Sequence, residues 1–258
     1  MEELRVCLVQ PKLIWEDRTQ NPALLYEMVK DIDQADIIVL PELFSTGFSM
    51  NVEELAISPN GDAVKWMENL AKEKDAAIVG SLIIREGDNI YNRLYWVEPD
   101  GVKHTYDKRH LFTLAGEEKR FTAGKSRLIV EYKGWKIMPL ICYDLRFPVW
   151  SRNDLGYDLL LYVANWPAIR NYPWKQLLMA RAIENISYVV GVNRVGEDGN
   201  GYWHSGDSAV LNPLGEKISR LKAEEPGVEV VSISKEILME TRKKFAFLND
   251  RDDFTIHL

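Results

Sequence analysis

Cysteine and histidine are scarce here: two cysteines and four histidines in 258 residues. Two cysteines cannot build a disulfide framework, and a free thiol suits a reducing compartment, so the expected location is cytoplasmic. The histidines, at 104, 110, 204 and 257, show no HExxH spacing, and no CxxC occurs, so no metal site is read. No Walker or dinucleotide glycine motif is present, and no cofactor is expected. No apolar run approaches the ~18 residues of a membrane span. The start, MEELRVCLVQ, is acidic and enters a strand pattern directly, unlike a signal peptide. There is no basic block, and the net charge is −7, which disfavours nucleic acid and anionic membranes as partners. Linkers, repeats and low-complexity segments are absent as well.

What is present reads as strands alternating with helices. LRVCLVQ (4–10), DIIVLP (36–41), AAIVGSLII (76–84), DLLLYVAN (158–165), YVVGVNRV (188–195) and GVEVVSIS (227–234) are strand-like apolar runs. Asn21-Pro22 reads as a helix start with Asn as the cap, followed by Leu25, Met28, Val29 and Ile32 on one helical face. Residues 62–74 and 173–186 read as further helices. Pro99-Asp100-Gly101 and Lys133-Gly134 mark two hairpins. Parallel crossovers mixed with hairpins imply one α/β domain over 1–258, its core between two sheets and its helices outside. Residues 239–258 read as a charged C-terminal tail. Eight tryptophans point to a rigid pocket, a large interface or both.

Cys142 is the most informative residue. It ends the run IMPLI and opens into Tyr143, Asp144 and Arg146, whereas Cys7 is embedded in RVCLVQ and reads as a small core hydrophobe. Glu42 follows IIVLP in the same way, and Lys108 lies in YDKRHLF. A carboxylate, an ammonium and a thiol are the parts needed to cleave an amide through a thioester. Glu42, Cys142 and Asn165-Trp166 each come just past the carboxyl end of an apolar strand run. In open α/β sheets the loops there converge on the ligand, so residues far apart in sequence can meet in one pocket. Taken singly, each has a plainer explanation: a strand-end surface charge for Glu42, a solvated basic triplet for Lys108-Arg109-His110, and structural ion pairs for Asp144 and Arg146. A cysteine–histidine dyad through His110 is a mechanistic rival, but it leaves Glu42 and Lys108 unexplained.

LPELFSTGF, YDKRHLF and CYDLRFP, in this order, resemble the three signature segments of the nitrilase superfamily of carbon–nitrogen hydrolases. VANWPAIR, RAIEN and GDSAVLNPLGE are similar to its omega-amidase branch. The resemblance spans essentially the whole chain. It implies an α/β four-layer αββα sandwich of the nitrilase type, homodimeric through the layer beside the nucleophile. It maps the catalytic set onto Glu42, Lys108 and Cys142, with a second glutamate in GEEKRF. The spacing to Phe121 and Gly124 favours Glu117 over Glu118 for that position.

On this mapping Glu42 is the base for the Cys142 thiol, and Glu117 orients Lys108 or the substrate amide. Lys108 and the Tyr143 backbone N–H stabilise the oxyanion. Lys108 favours the thiolate by its charge while Glu42 opposes it. The implied substrate is a small molecule, the terminal amide of a short 2-oxo dicarboxylate such as 2-oxoglutaramate or 2-oxosuccinamate. Alternatives are a nitrilase, a hydrolase of another small aliphatic amide, and an idle binding protein on the same fold. The carboxylate of a 2-oxo acid needs a partner, and Arg170, which follows Asn165-Trp166-Pro167 within five residues, suits it. The segment begun by Phe147-Pro148-Val149-Trp150 is read as an interface helix.

Overall fold

The computed structural model describes residues 3–257. β1 (Glu3–Gln10) leads through α1 (Gln20–Val29) to β2 (Ile37–Val39), then through α2 (Val52–Leu55) and α3 (Asp62–Lys74) to β3 (Ala77–Glu86). β4 (Asn89–Val97) and β5 (Lys103–Asp107) follow as a meander, with antiparallel pairing from Glu86↔Asn89 at one turn to Val97↔Lys103 at the next. The second half holds β6 (Val130–Tyr132), β7 (Trp135–Ile141), β8 (Leu159–Ala164), α4 (Asn171–Asn185) and β9 (Tyr188–Asn193). β10 (Val195–Glu197), β11 (Trp203–Ser205), β12 (Ala209–Leu211), β13 (Gly227–Ser234) and α5 (Lys235–Lys244) complete it.

Two sheets result. One has six strands in the order β13-β1-β2-β3-β4-β5, the other five in the order β12-β9-β8-β7-β6, and β10-β11 form a separate ribbon. The central neighbours β1-β2-β3 and β7-β8-β9 are parallel. β2 and β8 are buried along their whole length, as expected of strands covered on both faces. Leu4, Val6, Leu8, Ile37, Val39, Leu94 and Trp96 of the first sheet pack with Ile137, Leu159 and Leu161 of the second. Helices α1 and α3 cover the outer face of the first sheet through Leu25, Val29, Val64, Met67 and Leu70. α4 covers the second, with Trp174 and Leu178 so close to Gly191 that a Cβ there would lie 2.7 Å from Leu178. The layers are therefore helix, sheet, sheet, helix: the four-layer αββα sandwich.

Local chemistry explains most element ends. Residues 62–74 form α3, with Asp62 in its first turn and Lys72 and Lys74 in its last, complementing the helix dipole. Asp75 (φ 47°) and Ile186 (φ 41°) take the left-handed conformation that stops α3 and α4. Two readings are corrected. α1 starts at Gln20 with Thr19 as its cap, and Asn21 lies inside it. The Asn21 amide is turned to the preceding loop, exchanging bonds with Ile14 and donating to the Ser45 carbonyl. No helix begins at Phe147: a 3₁₀ turn spans Cys142–Arg146, and the chain after it is a run of turns. α5 passes through Met239, so the charged tail begins inside a helix.

The tryptophans serve the core more than a pocket. Trp96, Trp135 and Trp174 are fully buried. Each such ring removes ~150–250 Å² from water, roughly 4–6 kcal/mol at 25 cal/mol/Å². The Nε1 atoms of Trp96 and Trp135 have no partner, which costs about 1–3 kcal/mol each, so burial still wins.

Candidate active site

The apolar strands deliver polar residues where they end. Glu42 lies three residues past β2, in a turn closed by the Leu43 N–H donating to Ser81 Oγ at 2.9 Å. Lys108 directly follows β5, and its carbonyl accepts from the Gly124 N–H at 2.9 Å. Gly124 is required there: a Cβ would sit 2.0 Å from the Asp107 carbonyl oxygen. Cys142 directly follows β7, with φ +42°. A left-handed non-glycine residue costs about 1–3 kcal/mol, which the buried strand before it and the 3₁₀ turn after it must hold in place.

Glu42, Lys108 and Glu117 form one buried cluster. Lys108 Nζ donates to Glu42 Oε1 at 2.8 Å and to both Glu117 oxygens at 3.0 Å. Asn92 Nδ2 donates to Glu42 Oε1 at 2.8 Å and to Glu117 Oε1 at 3.3 Å. The Phe112 N–H donates to Glu117 Oε2 at 2.6 Å, and the Asn165 N–H to Glu42 Oε2 at 2.8 Å. Asn165 Nδ2 also donates to the Glu42 carbonyl. Of the two adjoining glutamates, Glu117 is fully buried and hydrogen-bonded to Lys108, while Glu118 is exposed.

The electrostatics follow from two carboxylates facing one ammonium. Burial disfavours the Lys108 ammonium, but Glu117 and Glu42 outweigh it and hold the group above its ordinary range. Burial raises Glu117, with Lys108 pulling down and Glu42 pushing up; every contact to its oxygens is nonetheless a donor, which suits a carboxylate. Burial, then Glu42, push the Cys142 thiol well up, and Lys108 offsets this only in part. These influences favour the protonated thiol, whose proton has to leave during attack.

Lys108 and Cys142 reach the wall of a cavity of about 450 Å³, while Glu42 and Glu117 lie behind Lys108 and do not line it. Lys108, Cys142, Tyr143, Asn165, Trp166 and Arg170 all line it, so the residues singled out from sequence as cavity contacts converge. Trp166 is fixed by its N–H to Asn193 Oδ1 (2.8 Å) and its Nε1–H to the Arg170 carbonyl (2.7 Å). The Arg170 guanidinium lies 5.1 Å from the Phe112 ring centre. The pairing expected of Arg146 is not found: it lines the cavity, 4.9 Å from the Trp166 ring centre, and no acidic partner for it or for Arg170 is found among the described residues. Asp144 pairs instead with His110 Nδ1 at 2.8 Å. His110 is stacked on Phe147 (3.7 Å) and does not line the cavity.

Several residues escaped the sequence reading. Asn92 bridges both carboxylates; its one signal was an amide in the middle of the β-forming run of β4, at a buried position. Phe48 lies 5.2 Å below the Lys108 ammonium, and Asp198, Tyr202 and His204 form part of the cavity wall. Their segment, DGNGYWH, is glycine-rich and shows no periodicity.

A buried carboxylate–ammonium–carboxylate cluster against a strand-end thiol, inside an αββα sandwich, defines a cysteine hydrolase of carbon–nitrogen bonds. The carbon-nitrogen hydrolase family profile matches residues 5–243, and this chain belongs to that family. It is 45% identical to the omega-amidase YafV of Yersinia enterocolitica over 256 residues, 99% of this chain and 100% of that protein. It is 35% identical to the 2-oxoglutaramate amidase of Bacillus subtilis, covering 86% of each. The crystal structure of XC1258 from Xanthomonas campestris, a CN-hydrolase superfamily protein with an arsenic adduct in its active site, aligns over 100% of both chains. Its TM-score is 0.97 at 43% identity.

Proposed function

We propose that the protein releases ammonia from the terminal amide of a short 2-oxo dicarboxylate, 2-oxoglutaramate or 2-oxosuccinamate, through a Cys142 thioester. The observation that carries this reading is a cavity lined by Cys142 and by Lys108, whose ammonium is held from behind by Glu42 and Glu117, together with two arginines that have no acidic partner among the described residues. The names of the relatives support the choice of substrate.

Cys142 Sγ attacks the amide carbon as its proton passes to Glu42. Lys108 and the Tyr143 N–H, in the first turn after β7 where N–H groups lack helical acceptors, take the oxyanion. Glu117 holds Lys108 in place. Collapse breaks the C–N bond, and Glu42 returns the proton to the leaving nitrogen as ammonia. Water then attacks the thioester, giving its proton to Glu42, and the dicarboxylate leaves with the thiol restored. Arg170 and Arg146 bind the distal carboxylate, which needs a partner once it leaves water.

The reading places the enzyme in the cytoplasm as a homodimer. Two buried free cysteines support a reducing compartment. Exposed Met179 and Ile183 on α4, with Val149 and Leu155 after the nucleophile turn, support a second copy as partner. No helix among the described residues is long and apolar enough to cross a membrane. Incubation with 2-oxoglutaramate, a short neutral amide and the matching nitrile, with ammonia as the readout, tests the function. Ammonia release fastest from 2-oxoglutaramate is expected. Preference for the nitrile would make the protein a nitrilase, and no turnover of any would leave an idle fold.

A further inference from the structure

The reacting groups do not share a sheet. Glu42 and Lys108 follow β2 and β5 of the six-stranded sheet, whereas Cys142 follows β7 of the five-stranded one. Their separation is set across an interface of apolar side chains. Such contacts are non-directional and fix a distance poorly, while hydrogen bonds constrain both distance and angle. Polar ties across the sandwich should therefore govern how the thiol meets its base. Several polar contacts cross between the sheets, and two of them end beside the reacting groups; one is the pair of bonds from Asn165, past β8, to Glu42. The other has no part in the chemistry described above.

That second tie centres on Asp144, fully buried two residues after Cys142. Its Oδ2 accepts from the Ile141 N–H at 3.0 Å and the Tyr106 hydroxyl at 2.8 Å. Its Oδ1 accepts from the His110 N–H at 3.0 Å and His110 Nδ1–H at 2.8 Å. One donor belongs to the last residue before the nucleophile. The other three come from positions two residues to either side of Lys108. The Tyr106 hydroxyl is itself saturated: it donates to Asp144 and accepts from Trp150 Nε1 (3.0 Å) and the Arg109 N–H (3.2 Å), so its one proton and both lone pairs are used. Asp144, Tyr106 and His110 do not line the cavity.

We propose that Asp144 and Tyr106 are positioning residues, which set the distance between the Cys142 thiol and the Lys108–Glu42 pair by clamping the two loops across the sandwich. The inference rests on Cys142 acting as the nucleophile, and its test does not need the substrate to be the one proposed.

Tyr106→Phe keeps the ring and leaves Asp144 with its other three donors. A displacement of about 1 Å between reacting groups costs on the order of 100-fold. A kcat 10- to 100-fold lower is expected, with KM within about twofold and the variant folded at the assay temperature by circular dichroism. In parallel, Cys142 is labelled with chloroacetamide: the S–C bond forms, C–Cl breaks, chloride leaves and the thiol proton passes to Glu42. Labelling slowed by a similar factor is expected, because it needs the same thiol–carboxylate geometry. Asp144→Asn, which turns an acceptor into a donor against this cluster, should slow both at least as much. The inference is overturned if folded Tyr106→Phe keeps kcat and labelling within about threefold of the parent. A raised KM at unchanged kcat overturns it too, as does a fall that only tracks the unfolded fraction. Should the parent fail to hydrolyse 2-oxoglutaramate, the functional reading falls, and the labelling comparison still decides this one.

Discussion

Replacing Glu117 by glutamine should move two rates in opposite directions. The carboxylate accepts two bonds from Lys108 and one from the Phe112 N–H. Glutamine keeps the shape but turns an NH₂ toward donors, so Lys108 retains Glu42 Oε1 as its one carboxylate oxygen. A hydrogen bond to a charged group is worth about 1.5–3 kcal/mol, so if one such bond holds the ammonium at the oxyanion, turnover falls roughly 10- to 150-fold. The thiol responds with the other sign. Burial, Glu42 and, more weakly, Glu117 raise it. Removing a negative charge lowers its pKa, so at any pH below that pKa a larger fraction is thiolate. Nucleophilicity falls as the thiolate becomes less basic, with β of about 0.4–0.5, so each tenfold gain in thiolate leaves about a threefold net gain in rate. Ammonia release from 2-oxoglutaramate measures the first rate. Iodoacetamide labelling of the Cys142 peptide by mass spectrometry at pH 7 measures the second. Glu118→Gln, at an exposed site, should leave both within about twofold. If Glu117→Gln slows labelling together with turnover, or Glu118→Gln costs more, the charge reasoning is wrong.

Other outcomes follow from the same geometry. Cys142→Ala should abolish ammonia release, while Cys7→Ala stays near normal; burial pushes the Cys7 thiol up to about 12, so it should remain unlabelled by iodoacetamide at pH 7. An acyl adduct should appear on the Cys142 peptide after acid quench, and full activity in Cys142→Ala would end the thioester mechanism. Arg170→Ala and Arg146→Ala should each lower kcat/KM roughly 10- to 150-fold on the 2-oxo acid amide and hardly at all on a neutral amide. Equal losses on both substrates would mean that these arginines hold the wall, not the ligand. Light scattering should give about twice the chain mass of 29.8 kDa, and a value near 29.8 kDa at micromolar concentration rejects the homodimer.

Strand-end residues were legible in the sequence because a run such as IIVLP or IMPLI can only be buried, and the first polar residue after it marks the sheet edge. Glu42 and Cys142 stood out this way, although they follow strands of different sheets. Asn92 was not legible, because strand alternation predicts which face a side chain takes and not whether a carboxylate waits there. Asp144 and Arg146 were read as members of structural ion pairs, whereas Asp144 turns to His110 and Arg146 lines the cavity. Asn21 looked like a cap because Asn-Pro commonly starts a helix. A loop with unsatisfied groups at Ile14 and Ser45 claimed its amide instead.

The surplus of carboxylate over ammonium around Lys108 bears on how a cycle ends. The substrate presents a neutral amide beside Lys108, with Glu42 and Glu117 behind that ammonium, and hydrolysis adds a third carboxylate near them. Like charges in a water-poor site repel strongly, so the floor that tolerated the reactant rejects the product. Chemistry and eviction become one event, and the parent enzyme should be inhibited far more weakly by 2-oxoglutarate than its KM for the amide suggests. Glu117→Gln, with one charge fewer, should retain the product more tightly; unchanged product inhibition in that variant would show that release is governed elsewhere.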